Sequence, residues 1–252
     1  MQKKERQDLK EETMVPGSAA VLGLGYVGLP LAVEMARAGW RVLGIDIDPE
    51  RVAALQSGRS YIGDVPAQQV EELAAAGRLQ ATTDFSGLAG VEVIVICVPT
   101  PLRKTREPDL THVLAASGQV AKFLRPGQLV ILESTTYPGA TERVVRPELE
   151  KGGLQAGRDF ALAFSPERVD PGNRRFGIRN TPKVVGGITP DCTRRAVAFY
   201  RTFVEEVVPV SSATVAEAVK LLENSFRAVN IALVNELAKE KGPYPLFPGS
   251  EW

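Results

Sequence analysis

The sequence predicts a doubly wound α/β fold, a parallel sheet with helices on both faces, followed by one long helix. Three observations carry that expectation. Short apolar runs alternate with helical patterns from Ala19 to Lys151. A Gly-x-Gly-x-x-Gly string follows the first apolar run and opens the first helical stretch. A sustained helical pattern from Thr214 to about Lys239 then comes after the last strand-like run.

Taken in order, Ala19–Leu22, Arg41–Ile45, Val91–Val98, Gln128–Leu132 and Phe160–Phe164 read as strands. Leu29–Ala38, Pro49–Gln56, Leu110–Phe123 and Ala140–Lys151 read as helices between them. Strands that are apolar on both faces and separated by helices imply βαβ units whose crossovers cover a parallel sheet on both sides. Val184–Val185 and Val207–Val210 supply later strands around a helix at Pro190–Val204. In the long helical pattern, Val215, Ala218, Val219, Leu222, Phe226, Val229 and Leu233 spread over more than half the circumference. That width predicts a helix buried between two packed layers. After it, Lys241–Trp252 contains three prolines and two glycines, which do not continue a helix. The expected division is a charged tail over 1–17, a nucleotide-binding-type domain over 18–210, a central helix over 211–240 and an irregular tail over 241–252.

Thirty basic and thirty acidic residues cancel, so no charge excess points to nucleic acid or an anionic membrane as partner. No apolar run reaches the ~18 residues of a membrane span, and the charged first 17 residues lack the apolar segment of a secretory signal. Cys97 and Cys192, the only cysteines, do not make a disulfide framework, and a cytoplasmic protein is expected. No metal site is expected.

A lone glycine string is a weak signal, but Gly23-Leu24-Gly25-Tyr26-Val27-Gly28 follows the run Ala19–Leu22 and opens the helix from Leu29. Gly23 then permits the tight turn, Gly25 lets the backbone approach a pyrophosphate, and Gly28 allows close helix–strand packing. The helix N-terminus offers unpaired N–H groups and a positive dipole end to the phosphates. Asp46 lies 18 positions after Gly28, close to the spacing of about 20 expected for the carboxylate that binds the adenosine ribose hydroxyls. A carboxylate there repels a 2′-phosphate, so the reading is a Rossmann-type domain that prefers NAD to NADP. Asp48 and Arg51 lie near enough to modify that preference.

Further strings occur in fixed order: Gly23–Pro30, Cys97-Val98-Pro99-Thr100-Pro101, Glu133-Ser134-Thr135-Thr136-Tyr137-Pro138-Gly139, and Phe164-Ser165-Pro166-Glu167-Arg168. Ala218-Val219-Lys220-Leu221-Leu222-Glu223-Asn224 and Asn235-Glu236-Leu237 follow. As a set, over about residues 18–238, they resemble the UDP-glucose/GDP-mannose 6-dehydrogenase family. The run Pro166–Gly172 and Arg227 resemble its UDP-N-acetylhexosamine branch. The resemblance implies oxidation of a sugar C6 alcohol to a carboxylate in two hydride transfers to NAD. It implies that Tyr26, Val27, Asp46, Arg51, Thr100 and Thr135 line the cofactor beside the glycines. It also implies that Glu167 assists water and proton handling, that Arg168, Val169 and Arg227 contact the UDP-sugar, and that Lys220 and Asn224 stabilise the oxyanion at C6.

The residues support part of this directly. Thr100 and Thr135 follow strand patterns, at the edge where open α/β sheets place ligands. Lys220, Asn224 and Arg227, spaced i, i+4, i+7, share one stripe of the long helix. A cation beside an amide suits a developing alkoxide; a solvated polar stripe is the plainer alternative. Glu167 follows an apolar run and a proline, and a carboxylate partly buried there can act as acid or base. Glu133 is similarly poised and receives no role.

The family's nucleophile, a cysteine after Gly-Gly-His downstream of the long helix, does not occur in these residues. Cys97 reads as a small buried hydrophobe and Cys192 as part of a helix start remote from the motifs. His112, the only histidine, reads as a surface position at a helix start. The expectation is an N-terminal fragment that binds NAD but turns over a UDP-sugar poorly or not at all. A homodimer through the long helix is expected. A non-catalytic NAD-binding module, or a dimer partner of a full-length subunit, is the competing reading. A dehydrogenase of small 3-hydroxy acids fits less well, because the Cys-Val-Pro-Thr-Pro and Ser-Pro-Glu-Arg strings argue against it.

Overall fold

The computed structural model describes residues 14–102, 108–168 and 177–239. Its centre is β1 (Ser18–Leu22), flanked in parallel by β2 (Arg41–Ile45) and by a later strand, Val93–Ile96. Beyond β2 lies β3 (Leu79–Thr82); on the other side β4 (Val93–Ile96) is followed by β5 (Leu129–Leu132), β6 (Ala161–Phe164), β7 (Lys183–Gly187) and β8 (Val207–Pro209). The sheet order is β3-β2-β1-β4-β5-β6-β7-β8. Chain direction away from β1 therefore reverses between β1 and β4, which makes a topological switch point.

The inner strands β4, β5 and β6 are apolar throughout because both faces are covered. Successive side chains alternate between two cores: Ala19, Val21, Val93, Val95, Leu129 and Ile131 enter one, and Ala20, Leu22, Ile94, Ile96, Val130 and Leu132 enter the other. The helices are α1 (Gly28–Arg37), α2 (Pro49–Gln56), α3 (Ala67–Ala75), α4 (Thr111–Phe123), α5 (Arg146–Glu150, after a π-helical turn at Thr141–Val145), α6 (Pro190–Tyr200) and α7 (Ala213–Lys239). The first core packs α1, α2 and α6 against the sheet, and the second packs α4, α5 and the start of α7. Two helix starts are set locally. Asp48 Oδ1 accepts from Glu50 N–H (2.9 Å) and Thr189 Oγ1 from Cys192 N–H (3.1 Å), each cap being followed by proline at the first helical position.

The strands and helices expected from the sequence are all present, with ends moved by a few residues. Two elements were not anticipated, α3 and β3. In α3 only Val70 is buried, so its apolar signal is thin. β3 is a four-residue edge strand. The sheet also departs from an all-parallel one, because β7 runs antiparallel to β6 (Ala163↔Gly187). Reversal needs no crossover helix, and the described parts of the connection between them hold none.

The long helix corrects a stronger expectation. Ala213, Ala216 and Glu217 are buried against the sheet layer, but Leu222 and Phe226 are 70% exposed and Val234 61%. At a rise of 1.5 Å per residue the helix is about 40 Å long. Its first turns rest against β6 and β7, and the remainder projects past the packed layers. The burial its wide apolar stripe predicted is thus absent beyond the first turns among the described residues. Of the segments expected as tails, 1–13 and 241–252 lie outside the described residues, whereas Met14 N–H donates to Ala198 O of α6 (3.3 Å). No helix among the described residues is long and apolar enough to cross a membrane.

Candidate functional site

A cleft of about 650 Å³ opens at the carboxyl ends of β1, β2, β4 and β5, at the switch point. The glycine turn, Asp46 and Arg51 line one side of it; Cys97, Thr100, Thr135 and Glu167 line the other.

Backbone geometry explains the glycine spacing. Gly23 adopts φ +87°, and a Cβ there would lie 2.7 Å from Cys97 O. A Cβ on Gly28 would lie 1.8 Å from Gly23 O, so α1 could not start this close to β1 with any side chain. At Gly25 a Cβ meets nothing within 4 Å. That open space, in front of the α1 N-terminus, is the cradle a bound pyrophosphate needs. Tyr26, 74% exposed, and half-buried Val27 form the lip above it.

At the end of β2, Asp46 is 6% exposed. Its Oδ2 accepts from Leu24 N–H (2.7 Å) and its Oδ1 from Asp48 N–H (3.0 Å). Arg51 lies 3.4 Å from both Asp46 and Asp48 and sits over the Tyr61 ring, 5.9 Å from its centroid. Tyr61 donates its phenol proton to Leu24 O (2.7 Å). Burial, with Asp46 beside it, pushes the Tyr61 hydroxyl up to about 12. Tyr61 therefore braces both the glycine turn and Arg51; it escaped the sequence reading because it stands in a loop without a recognisable string.

The inner end of the cleft holds a buried charge cluster. Glu133, 1% exposed at the end of β5, accepts from Lys183 Nζ (2.9 Å) and from the Tyr200 hydroxyl. Lys183, 4% exposed at the start of β7, also lies 3.5 Å from Glu167 Oε2 and 5.3 Å from the Tyr200 ring centroid. Burial acts to lower the Lys183 pKa, yet the two carboxylates more than offset it and raise the ammonium above its ordinary value. Burial pushes the Glu133 carboxyl up, against the pull of Lys183. The two directions agree: two carboxylates around one cation favour retaining a proton. Lys183 and Tyr200 had no sequence signal, since only the fold brings positions 50 and 67 residues from Glu133 against it.

The α7 stripe reaches this end only in part. Lys220 Nζ donates to the Glu167 backbone carbonyl, and half-burial lowers its pKa, opposed by Glu167 and Glu223. Asn224 and Arg227 lie farther along α7 and are exposed. Glu167 Oε1 accepts from Arg168 N–H (2.7 Å). The Arg168 guanidinium is held by Glu223 of α7 (Nε to Oε2, 3.1 Å) and donates to Pro182 O (2.6 Å). Val169, also expected to contact substrate, lies outside the described residues. Cys97 is buried at the cleft floor, where burial first and then Glu133 raise its thiol well above the ordinary range. Cys192 is buried away from the cleft, its Sγ accepting from Thr189 Oγ1 (3.1 Å). His112 is exposed at the cleft rim.

An NAD-sized dinucleotide fits the residues present. The cradle at Gly25 is clear of side chains, and Asp46 and Arg51 line the cleft at the β2 end.

Residues 18–204 match the model of the NAD-binding domain of the UDP-glucose/GDP-mannose dehydrogenase family. The chain is 42% identical over 221 residues to UDP-N-acetyl-D-glucosamine 6-dehydrogenase of Pseudomonas aeruginosa, covering 87% of this chain and 51% of that protein. It is 41% identical over 220 residues to UDP-N-acetyl-D-mannosamine dehydrogenase of Pyrococcus horikoshii, covering 87% and 52%. The solved structure of the UDP-D-ManNAc dehydrogenase from Pyrococcus horikoshii superposes with a TM-score of 0.83 at 40% identity, over 88% of this chain and 53% of that one. A ternary complex of GDP-mannose dehydrogenase from Pseudomonas aeruginosa gives 0.79 at 26% identity, over 87% and 52%. The chain spans about half the length of the curated relatives it matches.

Proposed function

Because the chain belongs to the UDP-glucose/GDP-mannose dehydrogenase family, we propose that it serves the NAD-dependent oxidation of a UDP-sugar at its C6 alcohol. A UDP-N-acetylhexosamine is the favoured substrate, as the names of its relatives suggest, with UDP-glucose the alternative. The observation that carries this reading is one cleft holding both the open glycine cradle and, at its inner end, the Glu167 carboxylate.

The residues would divide the work as follows. Gly23, Gly25, Gly28, Tyr26 and Val27 hold the pyrophosphate side of NAD, Asp46 and Arg51 the adenosine end, and Thr100 and Thr135 the inner wall. When bound, NAD supplies the acceptor for the hydride that leaves the sugar carbon. Glu167 takes the proton of the C6 hydroxyl, so that the alcohol loses one hydride and one proton and becomes the aldehyde. Lys220 and Asn224 then face the oxygen as charge develops, and Arg168, Val169 and Arg227 contact the sugar nucleotide. For the second oxidation neither cysteine of these residues is a suitable nucleophile: Cys97 is held protonated by burial and Cys192 lies away from the cleft.

The exposed apolar side chains of α7 favour a second, compatible reading, in which this helix pairs two subunits. We place the protein in the cytoplasm, with both cysteines free and buried.

The test is to add NAD, then UDP-N-acetylglucosamine, UDP-N-acetylmannosamine or UDP-glucose, to the 252-residue chain. NAD binding without steady NADH formation is expected; no NAD binding contradicts the reading. Formation of the C6 carboxylate with two NADH per sugar would overturn the conclusion that neither Cys97 nor Cys192 serves as the nucleophile.

A further inference from the structure

We propose that Lys183 is a positioning residue for Glu167, holding its carboxylate ionised and aimed at the inner end of the cleft. This rests on the reading of Glu167 as the proton acceptor. Lys183 occupies the first position of β7, next to the antiparallel strand β6 that leads into Glu167. Its ammonium lies between two carboxylates, 2.9 Å from Glu133 Oε2 and 3.5 Å from Glu167 Oε2. Glu133 is fixed in turn by the Tyr200 hydroxyl, and the Tyr200 ring lies 5.3 Å from the Lys183 nitrogen. The cation thus has a rigid, fully buried seat on one side and a carboxylate bordering the cleft on the other.

Stability alone does not account for this arrangement. A buried ion pair is commonly no more stabilising than apolar residues of similar volume. If the Glu133–Lys183 pair were only a core contact, the ammonium would need no second carboxylate. Two charged groups of α7, among the described residues, are engaged elsewhere. Lys220 of α7 donates to the Glu167 carbonyl rather than to the carboxylate, and Glu223 of α7 pairs with Arg168. Glu133 of β5 and the Cys97 thiol at the end of β4 supply no positive charge. Arg227 lies farther along α7 and is exposed. The cation beside it favours the ionised form of the Glu167 carboxylate and gives its Oε2 a fixed partner.

The experiment is a carbon-13 NMR titration of glutamate-labelled protein without nucleotide, the Glu167 signal being identified by its loss in Glu167→Gln. Lys183→Met should raise the Glu167 midpoint by about one unit or more, the effect of removing an opposite charge at this range. Lys183→Arg should keep it near the wild-type value. If Lys183→Met does not fold with Glu133 left unpaired, the Glu133→Gln/Lys183→Met double variant is compared with Glu133→Gln alone, and the same upward shift is expected. An unchanged midpoint in the comparison that can be made overturns the proposal. No step depends on NAD or sugar, so NAD binding on the same samples separates the two claims. A shifted midpoint without NAD binding supports the role of Lys183 and contradicts the family site. NAD binding with an unshifted midpoint does the reverse.

Discussion

The backbone N–H of Leu24 donates a 2.7 Å hydrogen bond to Asp46 Oδ2, so one carboxylate ties the glycine turn to the end of β2. Asp46 is expected from the sequence to meet a ribose; the structure shows that it shapes the loop proposed to hold the pyrophosphate. Its other oxygen accepts from Asp48 N–H (3.0 Å), which joins the end of β2 to the cap of α2.

Asp46→Ala removes a charged acceptor from both tasks. NAD affinity should fall about 10- to 100-fold, the equivalent of ~1.5–3 kcal/mol for a hydrogen bond to a charged group. Folding stability should fall by about 1–3 kcal/mol because the buried Leu24 N–H loses its partner. Titration calorimetry and urea denaturation read the two effects separately. Equal NAD affinities for wild type and variant would remove Asp46 from the cofactor site.

Tyr61 gives a pH dependence whose sign is fixed. Its folded-state pKa of about 12 lies above the ordinary value of 10.0. The folded state therefore binds the proton more tightly than the unfolded state, and the associated stability is present below pH 10 and lost as pH rises through about 12. The urea midpoint should fall across that window, and fall less steeply in Tyr61→Phe. Identical slopes for the two proteins would show that Tyr61 is not held by Leu24 and its buried surroundings.

Much of this architecture was legible because it rests on local signals. Apolar runs and helical periodicity placed β1, β2 and α2 to the residue or nearly so. The glycine spacing is a local string, although the contact that excludes a side chain at Gly23 is with Cys97 O at the end of β4, the next strand in the sheet. What stayed hidden depends on distance in sequence or on weak burial. α3 hides one side chain fully, and β3 shows only a brief edge-strand alternation. The direction of β7 was not written in its own residues. The Glu133–Lys183–Tyr200 cluster joins three elements, and in the sequence Lys183 looks like any surface lysine before a strand. On α7 the apolar width was read correctly, but burial needs a second layer that is absent among the described residues.

Glu217 links α7 to the segment after β5. Fully buried, it accepts from Thr136 Oγ1 (3.3 Å), Gly139 N–H (2.6 Å), Thr141 N–H (2.8 Å) and Thr141 Oγ1 (2.6 Å). Glu217→Ala leaves these buried donors without their acceptor and should cost about 3–5 kcal/mol in urea denaturation. Glu217→Gln, which keeps the shape and one acceptor oxygen, should cost clearly less. Equal losses would mean that the charge and second oxygen of the carboxylate, rather than side-chain volume, set the effect.

The central claim, that NAD binds against the glycine turn, is tested most directly by titrating NAD into wild type and Gly25→Ala in parallel. A Cβ at Gly25 meets nothing within 4 Å of the protein, and Gly25 is not among the positive-φ glycines. Alanine should therefore leave the thermal midpoint unchanged while its methyl group fills the cradle and weakens NAD binding at least ~10-fold, a cost of about 1.4 kcal/mol or more. Equal affinities in two equally stable proteins, or no NAD binding by wild type, would contradict the account.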